Sequence, residues 1–471
     1  MSFSTNRSAD TPVDSLLAPF LQADGLPFAD VLTADDIEAA FDDADVSFGQ
    51  TTRSFWTPAL TLWTFLSQVL HGIKSCRAAV TRAFVAMALT RPPAALDTGN
   101  YCRARAKLPT ALLQKLTLQV GDALEDAALS AWLWHRNKKV LLVDGFTSTL
   151  PDTPENQKAY PQPNTQKPGL GFPLLRAVVL LSLATAAVRG LAVGPYQGKE
   201  SGETALLRTL LEQLRAGTIL VADRFYCSYF MVALLRDRGV EVVVRLHQKR
   251  SYDFRRGRRL GRDDHVVLWH RPEQPEWMSD ETYAIMPEVL QVREIRKRVS
   301  TPGCRVRELI VATTLLDATA YSQEDITDLY HQRWHVELDI RAIKTTLQMD
   351  ELRCLTPEMV EKEIWVHMLG YNLIRKVAAQ AALLRGVCPR EISLAASQQV
   401  VLGSWSKMTE ATAAERWRLG GELLRVLGKE QVGHRPDRCE PRAVKRRPKK
   451  QKLLMKPRRQ ARAELLAGRG Q

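Results

Sequence analysis

Two short apolar runs, Lys139–Val143 and Thr218–Ala222, each stop at an isolated aspartate, Asp144 and Asp223. Apolar runs this short, bounded by polar or turn residues, read as strands buried on both faces. Between and beyond them the pattern predicts a fixed order of elements. Leu174–Ala187 and Leu191–Val193 read as a hairpin with Arg189-Gly190 at its turn. Ser201–Arg215 carries Leu206, Leu207, Leu210, Leu211 and Leu214 on one side, and Gly217 ends it. Tyr229–Arg238 reads as a second helix and Val240–Leu246 as a further β-branched strand.

The resulting order, β-β-β-α-β-α-β, predicts an α/β fold with three antiparallel strands followed by two parallel ones joined through helices. That is the order of an RNase H-like core. Its first and fourth strands both end in an aspartate, at the carboxyl edge where open α/β sheets bind ligands.

A third acid lies in a polar stripe. Tyr330, Arg333, Glu337 and Lys344 follow the spacing Y-x2-R-x3-E-x6-K. On one continuous α-helix, at roughly 100° per residue, they fall within about 60° of arc. A carboxylate flanked by two cations and a phenol suits a metal ion beside a phosphate backbone. Asp144, Asp223 and Glu337 are therefore the candidate ligands for two Mg²⁺, which prefers oxygen donors, and Mn²⁺ is expected to substitute. Arg333 and Lys344 are candidates for holding phosphates; a salt-bridged exposed helix face is the plainer reading. Tyr330 would bond a phosphate or simply pack. Asp152, Asp263, Asp264, Asp339 and Asp350 are nearby acids outside the pattern, and Asp339 lies about 200° round the helix from Glu337.

Residues 250–325 break the order with basic segments and β-rich runs at Val266–Trp269, Val289–Val299 and Val306–Thr314, which predict an inserted, mainly β subdomain. Its aromatic residues, Tyr252, Trp269, Trp277 and Tyr283, would fill a small core or stack an unpaired base, with Trp269 and Trp277 the best placed for stacking. Upstream, residues 56–90 read as helical, stopped by Pro92-Pro93. Further helices are expected from Thr98 to before Pro109 and from Thr110 to Trp134. These helices would form a DNA-reading module or a plain bundle. A long helix is expected over Pro357–Leu384. The expected divisions are 1–50, 51–137, 138–250, 251–325, 326–390 and 391–471. Here 138–250 and 326–390 form the core, and 391–471 is a helical region ending in a basic tail.

Charge is unevenly spread. The net charge is +14, yet residues 1–50 hold ten acids and one base, and residues 435–471 hold fourteen bases and three acids. The first segment reads as weakly structured, with one helix near Thr33–Asp43 capped by Thr33. The tail reads as a phosphate contact or a solvated extension. Seven cysteines, an odd number with no C-x2-C pair, argue against a zinc site or disulfide framework and fit a reducing cytosol. No 18-residue apolar run and no charged-then-apolar leader are found, so neither a membrane span nor a signal peptide is expected.

Taken with Asp144-Gly145, Pro151-Asp152-Thr153, the Gln166–Pro173 run, Asp223-Arg224-Phe225-Tyr226 and the basic tail, the Y-x2-R-x3-E-x6-K spacing resembles the DDE transposases of bacterial insertion sequences, in the family called insertion sequence four. The resemblance covers residues from about 50 to 460. It implies Asp144, Asp223 and Glu337 as catalytic metal ligands, with Tyr330, Arg333 and Lys344 as helpers at the DNA strand end; Arg224, in the Asp223-Arg224-Phe225-Tyr226 run, is a further candidate for a DNA phosphate. It implies double-stranded DNA as partner, a homodimeric DNA complex, a base stacked on an insertion tryptophan, and a bacterial cytoplasmic, nucleoid-associated enzyme. It further implies cleavage at element ends and joining of the 3′-hydroxyls to target DNA. A nuclease of the same core that cuts without joining, and a DNA-binding regulator descended from a transposase, are the alternatives.

Overall fold

The computed structural model describes residues 13–49, 54–87, 97–135, 137–298, 308–433 and 455–467. Nine strands form one sheet: β1 (Val140–Thr149), β2 (Leu174–Ser182), β3 (Val188–Pro195), β4 (Ile219–Ala222), β5 (Glu241–Arg245), β6 (Arg258–Gly261), β7 (Asp264–His270), β8 (Val289–Arg298) and β9 (Glu308–Thr313). Their spatial order is β3-β2-β1-β4-β5-β9-β8-β7-β6. β1, β2 and β3 are antiparallel neighbours, and β4 and β5 run parallel to β1.

Alternation along β1 divides the interior in two. Leu142 and Phe146 face a core shared with the long helix Pro357–Arg385, while Leu141 and Val143 face a core filled by the helices Glu203–Thr209 and Tyr229–Asp237. Pro357 occupies the first turn of the long helix, where its missing N–H costs nothing, and Gly386 (φ 74°) ends it. The helix is buried along most of its length, so it forms the spine of the first core.

Several expectations are corrected. β1 does not stop at Asp144 but runs on to Thr149, because β2 keeps pairing with it as far as Thr149↔Leu174. The hairpin turns at Leu183–Ala187, with Ala186 at φ 59°, and Arg189-Gly190 lies within β3. Arg189 is buried there and reaches Asp122 at 2.6 Å, a partner sequence pattern cannot supply. The helix expected over Ser201–Arg215 is the shorter Glu203–Thr209 followed by a 3₁₀ turn. The insertion is not a separate β body: β9 pairs with the open edge of β5, so β6–β9 prolong the core sheet.

The acidic amino-terminal segment is also ordered from Val13 to Gly49. Phe20, Leu21, Leu32, Ile37 and Phe41 are buried in the first core, and Gln380 of the long helix donates to the main-chain oxygen of Leu21. Thr33 caps the helix Ala34–Asp43 in a reciprocal capping box with Asp36. Residues 54–87 form two helices, Pro58–Leu70 and Cys76–Met87, rather than one block, and the Pro92-Pro93 stop lies outside the described residues. The next two helices are Thr98–Ala106 and Thr110–Asp126, the latter ending earlier than Trp134. Leu60 to Leu70 are all buried, and they join the same first core as the sheet. Most of the 435–471 basic tail lies outside the described residues.

Candidate active site

Asp144 and Asp223 are brought level by strand register. β1 and β4 pair in parallel with Leu142 opposite Val221, so continuing the register sets Asp144 beside Asp223, just past the end of β4. Neighbouring strands lie about 4.8 Å apart, so the two acids are immediate neighbours at an open notch in the sheet. Asp144 projects to the face of Leu142, where the helix carrying Glu337 packs against β1.

That helix is not the continuous stripe expected. Gln323–His331 ends at Gln332, a new helix spans Trp334–Arg341, and a π-turn covers Ala342–Thr346. The break at Gln332-Arg333 and the widened last turn re-aim the polar residues. Arg333 is thereby drawn in between two acids: Nη1 is 3.4 Å from Asp144 Oδ2, and Nη2 donates to Glu337 Oε1 at 2.6 Å. Lys344 Nζ donates to the main-chain oxygen of Thr147 at 2.8 Å, fastening the π-turn to β1. Tyr330 is buried, and burial pushes its hydroxyl up to about 12 against the opposing pull of Arg333, so it stays a neutral donor.

Asp144 has an unusual environment. Burial pushes its carboxyl up to about 6, opposed by the Gly145 N–H (2.8 Å to Oδ1) and by Arg333, and reinforced by the negative charges of Glu203 and Glu337. A desolvated acid among other acids, at an edge, is what a bound cation would relieve. The carboxylate donor set suits hard divalent ions such as Mg²⁺ or Mn²⁺. Among the described residues, no three His, Cys, Asp or Glu side chains are gathered closely enough to hold an ion as they stand. The Arg333 guanidinium occupies the space between Asp144 and Glu337 and serves as their counter-ion.

The other candidates are placed differently. Arg224 donates to Gln248 at 3.1 Å and forms no ion pair with the acids. Trp269 is buried in the second core, donates to Glu294 at 3.1 Å, and has Arg250 over its ring at 3.8 Å. Trp277 packs edge-on against Phe230 with Arg208 over its ring at 3.9 Å. Four of the five outlying acids have structural partners. Asp152 accepts from Gln157, Asp263 pairs with Arg296, Asp264 is buried against Arg293, and Asp339 is buried between Arg375 and Arg390. One acid near the notch was not anticipated: Glu203, whose only visible signals were its place at the start of a leucine-sided helix and the glycine that follows Asp144.

The Transposase DDE domain family matches residues 135–373, which hold Asp144, Asp223 and Glu337. The chain belongs to the DDE transposase family. As a DDE transposase it is a metal-dependent enzyme of DNA strand cleavage and strand transfer. It is 26% identical over 355 residues to the transposase InsG for insertion sequence element IS4 of Escherichia coli (strain K12), covering 72% of this chain and 77% of that one. It is 28% identical over 238 residues to a probable transposase for insertion sequence element IS5377 of Geobacillus stearothermophilus, covering 44% and 57%. Among solved structures, the chain is similar to the piggyBac transposase synaptic complex with hairpin DNA, with a TM-score of 0.41 at 9% identity, over 92% of this chain and 89% of that chain. No described helix of this transposase is long and apolar enough to cross a membrane.

Proposed function

We propose that this transposase cuts the ends of a mobile DNA element and joins the freed 3′-hydroxyls to target DNA by in-line phosphoryl transfer, with Asp144, Asp223 and Glu337 holding two Mg²⁺. The observation that carries this is the notch: two aspartates level on adjacent parallel strands, with Glu337 linked to Asp144 through one guanidinium. The strand order β3-β2-β1-β4-β5, with β4 and β5 parallel to β1, supports an RNase H-like core. Similarity to an IS4 element transposase supports insertion-sequence ends as the substrate. When bound, the metal pair would activate the attacking oxygen and stabilise the leaving one.

The chain's own residues do the rest. Arg333 neutralises Asp144 and Glu337 until cations replace it, and its guanidinium is then free to take a DNA phosphate bidentately. Lys344 holds its charge beside β1 and is placed for the same strand. Tyr330, kept protonated by burial, offers a neutral hydrogen bond. Arg224 lies one residue beyond Asp223 and would contact the DNA backbone as it leaves the notch. Base stacking on Trp269 or Trp277 would require Arg250 or Arg208 to leave the ring it covers. A homodimer on double-stranded DNA in the bacterial nucleoid, with Mn²⁺ able to replace Mg²⁺, completes the proposal.

The test is incubation with linear DNA carrying the neighbouring element's ends, with Mg²⁺ and separately with Ca²⁺, scoring nicks and joined products. Asp144→Asn, Asp223→Asn and Glu337→Gln should each abolish nicking while end-DNA binding persists. Nicks with no joined product would identify a nuclease instead. Unaltered cellular function in Asp144→Asn would identify a DNA-binding regulator.

A further inference from the structure

We propose that Glu203 is a fourth carboxylate of the metal site, approaching the notch from the sheet face opposite Glu337. This rests on the two-metal reading above and deepens it. Glu203 opens the short helix Glu203–Thr209, whose Leu206 and Leu207 pack with Leu141 and Val143 in the second core. Glu337 comes from the first-core side, where Val336 and Ile340 of its helix share a core with Leu142. β4 ends at Ala222, so beyond Asp144 and Asp223 no strand separates the two faces on that side of β1.

Gly145 is what lets Glu203 come close. A Cβ at position 145 would lie 2.4 Å from Glu203 Cδ and 2.6 Å from Oε1, distances no side chain tolerates. The carboxyl group is thus laid against the main chain of the residue directly after Asp144. Tyr226, three residues after Asp223, points its hydroxyl at Glu203 Oε2, 3.4 Å away.

Two further points favour a cation ligand over a solvated surface acid. Glu203 is half-buried, and among the described residues no Lys, Arg or His forms an ion pair with it. Arg333 also cancels one of the three negative charges of Asp144, Asp223 and Glu337 while it stays in place, and Glu203 restores that charge.

The experiment uses the full chain with Mn²⁺ alone, following free Mn²⁺ by its paramagnetic resonance signal, and then Mg²⁺-dependent nicking of element-end DNA. Glu203→Gln removes the charge at constant shape. Gly145→Ala keeps the charge and pushes the carboxylate out of place. Each should weaken Mn²⁺ binding and raise the Mg²⁺ needed for half-maximal nicking by about tenfold or more, with metal-free DNA binding unchanged. Asp144→Asn is the control. If Asp144→Asn loses Mn²⁺ while Glu203→Gln and Gly145→Ala keep wild-type metal dependence, the Glu203 assignment is overturned and the notch stands. If all three keep it, the notch itself is not the metal site. Should Gly145→Ala fail to fold, Glu203→Gln alone decides, and if that variant fails, Tyr226→Phe with Glu203→Asp replaces it under the same criteria.

Discussion

Asp339→Ala should loosen the segment that carries Glu337 without removing any acid of the notch. Asp339 is 2% exposed and sits two residues after Glu337 on the same helix. Its carboxylate accepts from Arg375 of the long helix at 2.7 Å and from Arg390 at 2.8 Å. Arg390 in turn donates to the main-chain oxygens of Ser182 and Leu183 at the end of β2. One carboxylate therefore fastens the Glu337 helix to the spine and to the sheet. Its removal leaves Arg375, 5% exposed, with its bond to the Tyr371 hydroxyl at 2.9 Å and, among the described residues, no carboxylate partner. Breaking a buried pair from one side costs about 3–5 kcal/mol. The unfolding entropy of a 471-residue chain is about 1 kcal/mol/K, so a single transition would move down by about 3–5 °C. If the segment opens locally, the effect concentrates there as faster amide exchange over residues 334–346. The measurement is calorimetric melting of wild type, Asp339→Ala and Asp339→Asn, with hydrogen exchange on each. Asp339→Asn keeps an acceptor and should lose less. Melting within about 1 °C of wild type, with exchange unchanged, would refute the anchoring role.

Burial raises the Asp144 carboxyl from 3.8 to about 6, so charging it costs stability, which falls as pH rises through that interval. The cost is at most about 3 kcal/mol for a group that is partly wet. Near neutral pH, Asp144→Asn should therefore melt above the metal-free wild type, with the gap closing in acid and on adding Mg²⁺ to the wild type; a lower melting point for the variant at neutral pH would contradict this. Lys344→Ala removes a charged donor to Thr147 and a cation proposed to hold a DNA phosphate; if that phosphate contact is worth about 1.5–3 kcal/mol in the transition state, strand cleavage should drop roughly ten- to hundredfold with the fold intact by circular dichroism. Normal turnover would leave Lys344 a strut between the π-turn and β1 with no part in cleavage. Deleting residues 435–471 should weaken DNA binding and flatten its log–log salt slope by about 0.9 for each phosphate the tail no longer neutralises. An unchanged slope would make the tail a bystander.

The parts of the fold written in short-range pattern were legible in the sequence. Ile219–Ala222 and Glu241–Arg245 are apolar enough to read as buried strands, and Pro357 with Gly386 brackets the long helix. The three acids stood out as candidates because each stands in an apolar or periodic setting, and the structure sets Asp144 level with Asp223 and links it to Glu337 through Arg333. What escaped depends on partners far along the chain. Asp339 does face away from Glu337, but away means into a buried pair of arginines rather than toward water. Counting charge over the first fifty residues hid Phe20, Leu21 and Leu32, whose burial needs the spine helix. Glu203 was lost among its leucines because its destination is set by a missing side chain on another strand. The break at Gln332-Arg333 was invisible to a periodicity that assumes one unbroken helix.

β5 and β9 are antiparallel neighbours, with Arg245 opposite Val311, although more than sixty residues of chain separate them. The excursion therefore leaves and re-enters the host like a hairpin whose tip has been stretched. Such a cassette can lengthen, shorten or be exchanged between genes without re-threading any older strand, because its two ends are already stapled side by side. Lineages of this enzyme could thus vary the excursion freely while the chemistry next door keeps its geometry.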